Sequence, residues 1–434
     1  HIPAMTDAAL AAQTAWSERS VDERAQIIEA IARSFEAQHS ALMALLTREA
    51  GKSWADAVSE LREAVDFCHY YASQARSLEP HQIHQARGVV VCISPWNFPL
   101  AIFTGQIVAN LVVGNAVLAK PAELTPMIAD CAVRFMHAAG VPADVLQLAQ
   151  GKGGEIGQAL VAQSRIAGVC FTGSLPTAQR IHQTLAQHAA PDALLIAETG
   201  GLNAMIVDST ALPEQAVRDI IASGFQSAGQ RCSALRLLYV QADIYDKLME
   251  MLKGAMDALV IGDPADLATD VSPVIDATAQ HKLNQYIEQR RSRIIHQVPV
   301  PSAHAHKGYF VPPTLMAVDG MVDLREEQFG PIVHVATFEA DQLDWVLDEI
   351  NASGYGLTLG LHTRIERRAH EIAARAQVGN IYVNRNQIGA VVGVQPFGGC
   401  GLSGTGPKAG GALYLRALSR AVQTTEQVAP ALAW

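Results

Sequence analysis

The chain has 434 residues, 49% of them hydrophobic and 17% charged, with a formal net charge of -10. This is globular composition, enough for two or three domains with sizeable cores and far from the disordered range. The acidic balance excludes a nucleic-acid partner, which needs a basic face, and mainly keeps a cytoplasmic protein soluble.

The opening stretch from His1 to Ala11 lacks the basic and apolar regions of a signal peptide. His1-Ile2-Pro3 reads as a tag remnant or a cut within a longer chain, so the N-terminus is expected to be truncated. Two helices are expected first. Ser20 and Glu23 form a capping box ahead of an apolar-periodic run that stops near Gly51, and a second helix runs from about Ser53 to Ala75. From Val89 the pattern changes to short apolar runs, at Val89–Ser94, Ala116–Lys120, Val145–Ala149, Gly168–Thr172 and Ala193–Glu198. Helical patterns separate them near Ala101–Val113, Met127–Ala139, Glu155–Ala162 and Thr177–Gln187. Strands that alternate with helices, and are apolar throughout, predict a parallel sheet covered on both faces. Gly88 to Ala119 contains no Asp, Glu, Lys or Arg, but its prolines and asparagines argue for a buried strand, loop and helix rather than a membrane span.

A second α/β block follows. Its predicted elements are Ala204–Val207, a helix from Pro213 to about Ala228, Leu235–Val240, a helix near Tyr245–Ala258, Ile332–Thr337, a helix near Leu343–Ile350, and Asn380–Val383. No Gly/Ser linker or repeat divides the blocks, so a ligand cleft between them is expected. The six cysteines, Cys68, Cys92, Cys131, Cys170, Cys232 and Cys400, form no C-x-x-C pair. A reducing compartment fits, with most of these thiols serving as small core residues.

Five segments carry chemistry. Cys232 follows Gly229-Gln230-Arg231 and could attack a carbonyl as a thiolate favoured by Arg231, although a lone cysteine is more often a buried structural thiol. Glu198-Thr-Gly-Gly201 ends a strand, where a carboxylate can act as a base or simply be solvated. In Pro95-Trp96-Asn97-Phe98-Pro99 the Asn97 amide could bind an oxyanion, unless the segment is an ordinary turn. Lys120-Pro-Ala-Glu123 could hold the hydroxyls of an adenosine ribose and repel a 2′-phosphate, favouring NAD, or form a surface salt bridge. Phe171-Thr172-Gly173-Ser174 is a strand-to-helix turn suited to phosphate, but lacks the G-x-G-x-x-G fingerprint.

Together with Phe329-Gly-Pro331 and Pro396-Phe-Gly-Gly399, these segments in this order closely resemble the aldehyde dehydrogenases, from about Ala25 to Arg416. The resemblance implies an α/β fold with a Rossmann-type NAD-binding domain (1–76 and 87–201) and an α/β catalytic domain (202–400). It also implies an oligomerisation flap and tail (77–86 and 416–434) and a substrate-anchor loop (401–415). It implies Cys232 as nucleophile, Glu198 as general base and Asn97 as oxyanion donor. Ser94, Trp96, Lys120, Glu123, Gly173, Ser174, Glu327 and Phe329 would bind NAD, and no metal is expected.

A narrower similarity rests on Ile381-Tyr-Val-Asn-Arg-Asn386, Gly389-Ala-Val-Val-Gly-Val-Gln395 and Gly404-Thr-Gly-Pro-Lys-Ala-Gly-Gly411. These look like the L-glutamate γ-semialdehyde dehydrogenase domain of the bacterial bifunctional proline-utilisation proteins. Phe98, Ser233, Gly410 and Gly411 would then bind the substrate, its α-carboxylate resting on the Ser233 hydroxyl and glycine N–H groups. This family also implies a homo-oligomer and a proline dehydrogenase domain elsewhere in a longer natural chain. Cys400 is expected to be an exposed bystander. Two other readings stay open: a dehydrogenase for another semialdehyde or a simple aliphatic aldehyde, and a non-catalytic module.

Overall fold

A computed structural model describes residues 2–78, 84–304 and 307–421. Four helices come first: α1 (Ile2–Ser17), α2 (Val21–Ala37), α3 (His39–Ala50) and α4 (Trp54–Ser77). A βαβ series follows: β1 (His84–Ala86), β2 (Val89–Ile93), α5 (Ala101–Val112), β3 (Ala116–Lys120), α6 (Pro126–Ala138), β4 (Leu146–Leu148), α7 (Gln158–Val161), β5 (Gly168–Thr172), α8 (Leu175–His188) and β6 (Leu194–Glu198). The second block runs through β7 (Ala204–Val207), α9 (Pro213–Phe225), β8 (Leu237–Gln241), α10 (Tyr245–Asp257), α11 (Ala277–Gln289), β9 (Ile294–Gln297), β10 (Thr314–Ala317) and β11 (Ile332–Phe338). It closes with α12 (Leu343–Ala352), β12 (Tyr355–Gly356), β13 (Thr358–His362), α13 (Glu366–Arg375), β14 (Asn380–Val383), β15 (Cys400–Gly401), α14 (Tyr414–Ala417) and β16 (Ser419–Ala421).

Two sheets organise the chain. The first is all parallel in the order β4-β3-β2-β5-β6, and the second is β14-β13-β7-β8-β11-β10-β9, parallel except where β9 joins β10. All of β3 and nearly all of β2 and β5 are buried, as strands covered on both faces must be. The short link from β6 to β7 makes the carboxyl edge of the first sheet meet the amino edge of the second. Every chemical segment named above lies near that seam or along the carboxyl edge of the first sheet.

The capping box forms as expected: Ser20 Oγ accepts from the Glu23 N–H, and the Glu23 carboxylate accepts from the Ser20 N–H at 2.8 Å. Apolar periodicity did not reveal the break at Gln38, where α2 hands over to α3. Nor did the expected pair of opening helices include α1, which docks against the first sheet through Trp16. Trp16 is 1% exposed and donates its indole N–H to the Leu111 carbonyl at 2.9 Å. The charge-free stretch resolves into β2, α5 and β3, and among the described residues no helix is long and apolar enough to cross a membrane. α5 begins without a side-chain cap of its own. Glu60 on α4 substitutes, accepting from the Leu100 and Ala101 N–H groups while paired to Lys52 at 2.9 Å.

β1 and β16 form a two-stranded antiparallel ribbon within the expected flap and tail, of which 79–83 and 422–434 lie outside the described residues. Cys68, Cys92 and Cys170 are buried, Cys131 and Cys232 half-buried and Cys400 exposed, and all six are free thiols. Replacing Trp16 with Ala should lower the unfolding free energy by about 3–5 kcal/mol, because it opens a cavity and removes the indole hydrogen bond to the Leu111 carbonyl. Urea unfolding followed by circular dichroism measures the change.

Candidate active site

The helix expected to reach Ala228 stops at Phe225. Ser227, Ala228 and Gly229 then take left-handed conformations, with φ of 56°, 52° and 68°. Two consecutive non-glycine residues there cost roughly 1–3 kcal/mol each. Gly229 has no substitute, since a Cβ would fall 2.1 Å from the Gly330 carbonyl oxygen. Buried side chains hold the turn. Gln230 donates to the Ser227 carbonyl at 3.2 Å, and Arg231 donates to the Ser227 hydroxyl at 3.0 Å. Arg236 donates to the carbonyls of Gly229 at 2.8 Å and Arg231 at 3.0 Å. Cys232 leaves this turn with its own carbonyl fixed by the Asn203 amide at 2.6 Å.

Arg231 does not activate the thiol as expected. Its guanidinium turns away to Asp56 of α4, 2.8 Å distant, and that buried pair is electrically closed. Burial instead pushes the Cys232 thiol up to about 12, and the neighbouring Glu327 and Glu198 carboxylates push the same way against the Ser233 N–H. Glu198, at the end of β6, is pushed up to about 8 by burial, opposed by the Gly399 N–H and Lys408. One Glu198 oxygen accepts from Gly399 at 3.0 Å, while the other is buried without a partner. Cys232 and Glu198 line one cavity of about 290 Å³ together with Ser233, Phe98 and Glu63. Glu63 is pushed up to about 7 by burial and by Glu60. Near neutral pH this is a poised, largely uncharged site: a thiol, a carboxyl that ionises just above neutrality, and an apolar aromatic wall. Such a set can attack a carbonyl carbon and then activate water.

The remaining expected residues separate by place. Asn97 is buried beside the nucleophile turn and donates one amide N–H to the Gln230 carbonyl at 3.2 Å. Trp96 meets Phe329 edge-on at 5.6 Å between ring centres. Glu327 is held by Arg236 at 3.0 Å and lies so close to Gly200 that a Cβ there would sit 1.8 Å from its oxygen. Along the carboxyl edge of the first sheet, the Ser94 hydroxyl is buried without a partner. Lys120 donates to the Pro121 carbonyl at 2.8 Å and forms no ion pair with Glu123, which instead accepts from the Gly153 N–H at 2.9 Å. Burial pulls the Lys120 ammonium below its ordinary value. Gly173 packs directly over the Phe171 ring, and Ser174 stands at the positive end of α8 with its hydroxyl on the Thr177 hydroxyl rather than on a backbone N–H. An orphaned hydroxyl, a lysine with spare donors, a rim carboxylate and a helix N-terminus suit the hydroxyls and phosphates of a dinucleotide.

Gly410 is left-handed, φ 66°, and its N–H already donates to the Tyr71 hydroxyl at 2.8 Å. Gly411 abuts Pro396, and Ala409 and Phe397 rather than these glycines reach the cavity. Cys400 is exposed and donates to the Gln377 carbonyl at 3.2 Å. Sequence reasoning passed over Asn203, Arg236, Tyr71, Glu63 and Lys408. Only Arg236, a cation at the mouth of an apolar strand, carried a usable signal.

A strained cysteine turn, a buried carboxyl and a dinucleotide-suited sheet edge define a thiol-dependent oxidoreductase architecture. The model of the aldehyde dehydrogenase family matches residues 1–423, and the chain belongs to that family. It is 52% identical over 409 residues to the bifunctional protein PutA of Klebsiella aerogenes, covering 92% of this chain and 31% of that one. A crystal structure of bifunctional proline utilization A (PutA) matches with a TM-score of 0.93 at 50% identity, over 96% of this chain and 44% of that chain. A Thermus 1-pyrroline-5-carboxylate dehydrogenase with bound NAD matches with a TM-score of 0.89 at 32% identity, over 96% of this chain and 84% of that chain. The chain thus spans about a third of the length of its PutA relative.

Without cofactor, alkylation of Cys232 by iodoacetamide should be slow at pH 7 and still climbing at pH 10, since burial and two carboxylates disfavour the thiolate. Peptide mass spectrometry reads the rate, and a plateau below pH 8 would contradict the electrostatics described here.

Proposed function

We propose that this chain oxidises L-glutamate γ-semialdehyde to L-glutamate, with NAD as hydride acceptor. The observation that carries the reading is the shared cavity, in which Cys232, Glu198 and Ser233 converge beside the Glu327–Phe329 segment. The names of the PutA and 1-pyrroline-5-carboxylate dehydrogenase relatives support the substrate, and the NAD-bound Thermus structure supports the cofactor.

Ser94, Lys120, Glu123, Gly173 and Ser174 hold the adenosine ribose and pyrophosphate, and Trp96, Glu327 and Phe329 border the nicotinamide end. NAD, when bound, accepts the hydride from the substrate carbon. Glu198 in its ionised form takes the Cys232 proton directly or through water, and the sulfur forms a bond to the aldehyde carbon. The aldehyde oxygen becomes an oxyanion that the free amide N–H of Asn97 stabilises, an interaction worth a few kcal/mol of barrier. Loss of hydride from that carbon leaves a thioester on Cys232. Once its first proton has passed to solvent, Glu198 removes a proton from water, whose oxygen adds to the thioester carbon and displaces the sulfur. Glu198 returns that proton to the Cys232 thiolate, and the product leaves as a carboxylate with its own proton lost to solvent.

Phe98 walls the aldehyde chain. Ser233 receives the α-carboxylate at the cavity wall, and the Gly410 and Gly411 N–H groups join it by a shift of their loop toward the cavity, in which Gly410 exchanges its Tyr71 contact for the anion, one hydrogen bond replacing another. The enzyme works in the cytoplasm as a homo-oligomer, and in a longer natural chain it is joined to a proline dehydrogenase domain that supplies its substrate.

NADH formation with glutamate semialdehyde, beside succinate semialdehyde and propanal, tests the substrate. A strong preference for glutamate semialdehyde is expected, and equal rates with propanal would sink the carboxylate anchor. Cys232→Ala should lower kcat by about a thousandfold or more while NAD binding by calorimetry stays intact. Because Glu198 acts ionised and its carboxyl is raised to about 8, kcat should climb as pH rises through about 8 and then level. Glu198→Gln should remove that step, leaving a low, flat profile.

A further inference from the structure

Arg236 is 1% exposed, the largest fully buried side chain after Trp16, and it lies four residues beyond Cys232. A guanidinium has five N–H donors, and here all five are engaged. Nε donates to Glu327 at 3.2 Å, one terminal nitrogen donates to the carbonyls of Gly229 at 2.8 Å and Gly330 at 3.3 Å, and the other donates to the Arg231 carbonyl at 3.0 Å and to Glu327 at 3.0 Å. Its plane also lies 5.3 Å from the centre of the Phe329 ring. One cation therefore ties the left-handed turn that presents Cys232 to the segment that carries Glu327 and Phe329. Glu327 in turn presses on Gly200, two residues beyond Glu198.

We infer that Arg236 is a positioning residue that couples the nucleophile turn to the cofactor side of the cavity. It holds two turn carbonyls in place and keeps Glu327 paired beside the thiol. This rests on the proposed function for the place of Glu327 beside the dinucleotide, and not on the aldehyde substrate. The geometry requires that the two duties be separable. The carbonyl contacts fix where Cys232 stands, whereas the Glu327 contacts fix a carboxylate that faces the dinucleotide. Lysine keeps the charge but has three donors on one rotating atom and cannot span both sets.

The test compares Arg236→Lys with Glu327→Gln in the full chain, reading the rate of Cys232 alkylation by iodoacetamide and NAD affinity by calorimetry. Neither readout needs an aldehyde, so a failure of the proposed substrate leaves the result interpretable. Arg236→Lys, melting cooperatively, should speed Cys232 alkylation by about tenfold or more, because the loosened turn lets the thiol leave the buried, carboxylate-flanked position that disfavours its thiolate, and should weaken NAD binding as well. Glu327→Gln should weaken NAD binding but alkylate at least as fast as the parent, since a neighbouring negative charge is gone while the turn carbonyls remain held. An Arg236→Lys protein of lowered stability whose alkylation and NAD affinity match the parent would reduce Arg236 to a packing residue and overturn the inference. If Arg236→Lys does not fold, Glu327→Gln alone decides: slowed alkylation would place the turn under the control of the carboxylate and overturn it equally.

Discussion

Three consecutive left-handed residues, two of them not glycine, bring the chain from α9 to Cys232, and the rest of the site depends on that strained turn staying where it is. Such strain persists only when its surroundings over-determine it. Here the surroundings are Gln230, Arg231 and Arg236, each of which turns at least one donor inward to a turn carbonyl or to the Ser227 hydroxyl. Each arginine is then balanced by a carboxylate from another part of the fold, Asp56 from α4 and Glu327 from the segment before β11. Buried pairs of this kind add little net stability, but losing one partner leaves an uncompensated charge. The helices over the first sheet and the loops of the second are thereby fastened to the Cys232 turn.

The same pairing settles the electrostatics. Both nearby guanidinium groups are spent on carboxylates, so neither acts on the sulfur as a free positive charge. Burial dominates, and it raises the thiol and the Glu198, Glu63 and Glu327 carboxyls together. A site that rests neutral protects its cysteine from adventitious reaction while keeping a carboxyl that ionises within reach of physiological pH. Glu198 also rests against the Gly399 N–H and bridges to Gly404, so the 399–404 segment and this carboxyl move as one unit.

Much of the architecture was legible from the residues. The apolar runs at Ala116–Lys120, Gly168–Thr172 and Ala204–Val207 coincide with β3, β5 and β7, because doubly covered parallel strands leave an unmistakable run of β-branched and small apolar residues. Short or mixed elements were not legible. β9, β10, β13 and the helices α11 and α13 owe their conformation to neighbours already in place rather than to their own periodicity. The chemical segments were visible because unusual residues, cysteine, asparagine or paired glycines, stand at strand ends. Tyr71, Glu63 and Asn203 were not, since each lies in an ordinary helix or loop and matters only through what it faces.

What the sequence by itself determined is the inventory: the family, the order of the long apolar strands and the helices between them, and the presence of one cysteine turn and one strand-end glutamate, because these follow from local propensity and from motifs of a few residues. What only the tertiary structure decided is the relation among them. Arg231 looked like the thiol's activator and is instead closed against Asp56, 175 residues away along the chain, while Arg236 holds the turn. Charge neutralisation, burial and the use of each donor are set by groups that meet only when the chain folds, and no local pattern records them.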